Sequence, residues 1–101
     1  MKRPDPRRID FDTAERIGIA GLGFLADDPA RLGHFLATTG LGPAELRAEA
    51  GSPGMLGAVL EYLLGDETQL LAFTANAGIN PEQIQPAWDM LVLEAARRSR
   101  R

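Results

Sequence analysis

Few side chains in this sequence could do chemistry, and they are scattered. His34 is the single histidine and there is no cysteine. Neither a histidine pair for a metal nor a Cys–His nucleophile dyad can be assembled, and one imidazole without an orienting partner reads as a boundary side chain beside Phe35. Two carboxylate pairs, Asp27-Asp28 and Asp66-Glu67, suggest a cation site. Each pair, however, stands where a helix start needs an acceptor and negative charge, and neither has the alternating oxygens of a calcium loop. Gly18, Gly21 and Gly23 of GIAGLG run in the reverse order of a dinucleotide fingerprint, with no strand before them and no GK[ST] after. Glycine inside a helix costs about 1 kcal/mol relative to alanine, and close helix approach is the gain to expect in return. The residues therefore give no catalytic, cofactor or metal site, and the chain is read as a non-enzyme.

Nucleic-acid binding has two sequence arguments for it and stronger ones against. Leu46 to Leu60, LRAEAGSPGMLGAVL, has the glycine turn of a helix-turn-helix. Yet Arg47 stands where a small residue is usual, Gly57 where an apolar one is, and the would-be recognition helix, Met55 to Leu64, carries Glu61 and no cation. Charge is segregated as well. Residues 1–8 hold Lys2, Arg3, Arg7 and Arg8 against Asp5, and the end holds Arg97, Arg98, Arg100 and Arg101. Between them, three arginines face thirteen carboxylates, a formal −10 that repels phosphate. The two basic ends are read as solvated tails, at 1–8 a mobile one and at 97–101 a short one, flanking a single domain over 9–96.

With 101 residues, 45% hydrophobic and 25% charged, the chain has the composition of one globular domain rather than of a disordered segment. The longest run of apolar residues and glycine, Ile17 to Ala26, falls well short of the ~20 residues a spanning helix requires. The basic start is not followed by a signal-peptide apolar region, so no membrane association and a cytoplasmic location are expected.

Punctuation predicts about six short helices and no strands. Asp12 with Glu15 suggests a capping box opening a helix over Thr13 to Ala26. Asp28-Pro29 opens a second, closed near Thr39 by Gly40, and Gly42-Pro43 a third, ended by Gly51. Ser52-Pro53 precedes a fourth to Leu64, and Asp66 a fifth. Asn80 and Gln83 suggest a capping box, with Pro86 splitting the last segment into a turn over 81–85 and a helix to about Arg97. Trp88, Leu91 and Val92 are expected to close one side of the core.

The segment 24–46 is echoed 38 residues later by 62–84. Identities fall at Leu25/Leu63, Asp28/Asp66, Leu32/Leu70, Phe35/Phe73, Ala37/Ala75, Gly40/Gly78 and Pro43/Pro81. These are the apolar and capping positions a common backbone needs, so the predicted architecture is an all-α bundle built from two similar three-helix units, too small to have separate cores.

FLADDPARLGHFLATTGLGPAELR, VLEYLLGDETQLLAF and GINPE, taken together, resemble the DUF3572 family of small bacterial proteins of unknown function. The resemblance covers Ala14 to Trp88 and implies the helical fold. It implies no activity, cofactor or site residue. The function expected is a non-catalytic helical module for protein–protein interaction or regulation, with an unidentified protein partner. A nucleic-acid-associated regulator using the arginine-rich tails is the alternative. A homodimer is also expected, through an apolar strip of Ile84, Trp88 and Leu91 freed by the broken last helix.

Overall fold

The computed structural model describes residues 8–100. Lys2, Arg3 and Arg7 of the predicted N-terminal tail, and Arg101 of the C-terminal one, lie outside the described residues. Among the described residues there are six α-helices and no strand. They are α1 Phe11–Ala26, α2 Pro29–Thr39, α3 Pro43–Glu49, α4 Pro53–Leu64, α5 Glu67–Ala77 and α6 Ile84–Arg98, with a 3-10 turn Pro81–Gln83 leading into α6.

Most boundaries follow from local hydrogen bonding. The Asp28 carboxylate accepts from the N–H groups of Ala30 at 3.0 Å and Arg31 at 3.5 Å, and that of Asp66 from Gln69 at 3.2 Å. These two carboxylates are helix caps, each satisfying donors that the first turn leaves orphaned. Ser52 does the same for Met55. Gly40 and Gly78 close α2 and α5 at φ values of 75° and 69°, a left-handed conformation that side chains resist.

Three local expectations are corrected. α1 starts two residues early because Asp10, not Asp12, is its cap, accepting from the Thr13 N–H at 2.8 Å. Hydrogen bonding from Thr13 holds the Asp10 carboxyl below the usual carboxylate range. Asn80 caps the N–H of Glu82 at 2.9 Å instead of forming a box with Gln83. Pro86 does not delay α6, which begins at Ile84; in the first turn its missing N–H would have had no helical acceptor.

α4 runs through the middle of the core. Met55, Leu56, Val59, Leu60 and Leu63 are buried on it, packed between Ala14, Ile17, Phe24 and Leu25 of α1 and Ile84, Ala87 and Leu91 of α6. Phe35 of α2 and Phe73 of α5 are also fully enclosed. The close approach expected at the glycines occurs at two of the three in α1. A Cβ on Gly18 would lie 2.8 Å from Leu56 Cβ and one on Gly21 3.1 Å from Val59 Cγ1, whereas Gly23 faces open space.

The predicted apolar strip is not free. Ile84 and Leu91 have no exposed surface, and Trp88 is half-buried against the core. An unbroken α6 keeps Ile84, Ala87 and Leu91 in one helical stripe, and that stripe faces α4 and α1. Val92, expected to close the core, is 41% exposed, and Leu93 beside it is 62% exposed. A two-fold contact through α6 would therefore use Val92, Leu93 and the outer edge of Trp88, not Ile84 and Leu91.

Candidate functional site: a cleft between α2 and α4

His34 and Thr38 stand one turn apart on α2, and Ala58, Glu61 and Tyr62 share the facing side of α4. With Thr39, Leu41, Gly65 and Asp66 they line a cleft of about 660 Å³. The cap residues fix its ends. Gly40 turns the chain after α2 into Leu41, which lines the cleft, and Asp66, held to the Gln69 N–H, lines it from the start of α5.

Tyr62 organises the polar groups. Its ring packs edge-on against buried Phe35 with centroids 5.3 Å apart, which fixes where its hydroxyl can reach. That hydroxyl lies 2.5 Å from His34 Nδ1 and accepts from Gln69 Nε2 at 3.3 Å, while the same amide nitrogen donates to Asp66 Oδ2 at 3.1 Å. With the phenol oxygen accepting from Gln69, its one proton can be donated to His34 Nδ1, an arrangement that requires the imidazole proton on Nε2. The amide between Asp66 and Tyr62 cannot relay a proton, so the chain of contacts orients the side chains rather than activating one of them. The carbonyl oxygen of Gln69 is buried without a hydrogen-bond partner. Thr39 is also committed, donating to the Phe35 carbonyl at 2.8 Å. Glu61 is exposed and makes no ion pair among the described residues.

The other residues singled out by sequence fall elsewhere. α4, the would-be recognition helix, buries Met55, Leu56, Val59, Leu60 and Leu63 in the core and carries no cation. Arg97 and Arg98, assigned to a tail, belong to the last turn of α6. Both bond Glu94 at 3.1 Å and hold its carboxyl below the usual carboxylate range, Arg97 contributing most. Among the described residues no three His, Asp or Glu side chains gather as a metal site would require, and no helix is long and apolar enough to cross a membrane. Sequence reasoning found His34 but not its partner, because Tyr62 is 28 residues away and only the packing of α2 on α4 brings them together.

A family model described as "Protein of unknown function (DUF3572)" matches residues 11–93. The chain belongs to the DUF3572 family. The matched span of this DUF3572 protein opens with the first residue of α1 and ends within α6, so it takes in the core and the whole cleft while Arg97 and Arg98 lie beyond it. Searches of curated proteins and of solved structures find no match.

Proposed function

We propose that this DUF3572 protein is a non-catalytic helical module that binds a protein partner through the His34–Tyr62 cleft. The proposal rests on the chain being two copies of one three-helix unit, α1 to α3 and α4 to α6, related by an approximate two-fold axis. Several pairings support that reading. Gly18 lies against Leu56 and Gly21 against Val59, each the residue 38 positions on, which is the pairing an approximate two-fold axis between the two helices would give. Phe24 meets Phe73 with centroids 5.6 Å apart, and the pair 38 positions away, Tyr62 and Phe35, meets at 5.3 Å. Asp28 caps Arg31, and Asp66 caps Gln69.

The carrying observation is what this relation does to the cleft. His34, Thr39, Glu61 and Tyr62 line it, and their counterparts 38 residues away are Ala72, Ala77, Gly23 and Phe24. Thr38 corresponds to Asn76 and Asp66 to the capping Asp28. The same backbone position is thus built once with apolar or absent side chains and once with an imidazole, a carboxylate and a phenol. Folding does not require the polar set, and recognition is what such a set supplies. The hydroxyl–amide–carboxylate chain lacks an activated nucleophile, which favours binding over catalysis.

Photo-crosslinking tests this directly. A benzophenone amino acid replacing exposed Thr38 should trap a partner in the native cell, and the same group at its exposed counterpart Asn76 should not. Equal trapping at both positions, or none at Thr38, overturns the assignment of the cleft.

A further inference from the structure

We infer that the cleft receives the guanidinium group of an arginine presented by a partner protein; the inference rests on the cleft being the binding place proposed above. Its charge is one-sided. Glu61 and Asp66 contribute carboxylates, no lysine or arginine among the described residues lines it, and the body around it is strongly acidic. Glu61 is exposed and makes no ion pair among the described residues, and the half-buried Tyr62 offers an aromatic ring next to it in sequence.

The other half of the molecule contains the complementary arrangement ready-made. Arg31 places its guanidinium carbon 4.1 Å from the centroid of the Phe24 ring. It also donates to the Phe24 carbonyl at 3.2 Å and approaches the Asp28 carboxylate to 4.0 Å. Moving 38 positions along turns Phe24 into Tyr62, Asp28 into Asp66 and Arg31 into Gln69. Ring and carboxylate are kept, the cation is replaced by a neutral amide that bonds both Tyr62 and Asp66, and a further carboxylate, Glu61, appears where the first half has Gly23, free to meet a cation from outside. A planar guanidinium suits this setting better than an ammonium, because it can lie on an aromatic ring and bond a carboxylate through two parallel N–H groups.

His34 and Tyr62 are the only histidine and tyrosine of the chain, so their ring protons are unambiguous NMR reporters. The full-length protein is titrated with acetyl-Gly-Arg-Gly-amide and with the same peptide carrying citrulline, which has the shape of arginine without its charge. Arginine should shift both rings saturably, and citrulline should shift neither. Glu61→Gln should weaken arginine binding about three- to fivefold, the loss expected for one exposed ion pair. Glu82→Gln, the same charge change at an exposed position outside the cleft, should alter it less than twofold. Equal responses to the two peptides, or equal weakening by the two substitutions, would remove the guanidinium from the proposal. Silence of both rings toward arginine overturns it as well. The crosslinking contrast between positions 38 and 76 then decides independently whether the cleft binds a partner at all.

Discussion

Gly18→Ala and Gly23→Ala make the same chemical change about one and a half turns apart on one helix, and the structure assigns them opposite outcomes. Each gains about 1 kcal/mol of helix propensity. At Gly23 nothing lies within 4 Å of the new methyl, so the gain is kept and the variant should be about 0.5–1 kcal/mol more stable than the parent. At Gly18 the methyl would sit 2.8 Å from Leu56 Cβ and 3.4 Å from its Cγ and Cδ1. Leu56 is fully buried, and a Cβ cannot swing aside without moving the backbone of α4. Overpacking of this kind costs about 1–3 kcal/mol, which offsets or exceeds the propensity gain. The two variants should therefore differ by about 1–3 kcal/mol. That corresponds to roughly 4–20 °C in Tm for a domain near 100 residues. Urea titration and thermal melts of the parent and both variants, followed by circular dichroism in one buffer, measure the difference. Gly21→Ala should fall between them, since its methyl would meet Val59 Cγ1 at 3.1 Å and Leu63 Cδ1 at 3.3 Å, both ends of side chains. A Gly18→Ala protein as stable as the Gly23→Ala protein would refute the tight α1–α4 crossing on which the two-fold reading depends.

Phe35→Ala and Phe73→Ala should each cost about 3–5 kcal/mol in urea titration, because both rings are enclosed and neither site can collapse fully. Tyr62→Phe keeps the packing on Phe35 and should change stability by less than about 1 kcal/mol, yet it should move the His34 ring resonances by removing their hydrogen-bond partner. His34→Ala and Thr39→Ala, which install the residues found 38 positions on, should also stay within about 0.5 kcal/mol of the parent while abolishing crosslinking from Thr38. Asp10→Asn should be less stable than the parent at neutral pH. The Asp10 carboxyl titrates lower folded than unfolded, so its stabilisation is complete above the ordinary aspartate range and is lost as pH falls through the folded value. The gap between the two proteins should close below about pH 4 in melts run across pH.

How much could be read beforehand depended on how far each interaction reaches along the chain. Asp28, Ser52 and Asp66 were legible as caps because a cap bonds a backbone N–H two or three residues away, and proline or serine chemistry at that distance leaves little choice. Asp12 has the capping-box spacing to Glu15, but only the backbone decides which carboxylate meets the Thr13 N–H, and it is that of Asp10. The apolar strip at Ile84, Trp88 and Leu91 was misplaced for a different reason. Treating Pro86 as a break uncoupled Ile84 from Leu91, whereas the continuous helix keeps them in one buried stripe.

The sequence by itself determined that this is a helical chain, where most of its helices begin and end, and that cap and core residues such as Asp28 and Asp66 or Phe35 and Phe73 recur 38 positions apart, since these are set by bonds within one turn or by residue type. Only the tertiary structure decided which faces meet. Packing of α2 on α4 puts the His34 imidazole against the Tyr62 phenol, α4 is buried between α1 and α6, and Gly18 lies against Leu56. Such contacts join residues tens of positions apart, and no local hydrogen bond encodes them. They are fixed by which apolar stripes can close on one another without a gap, a property of the assembled core and not of any segment in it.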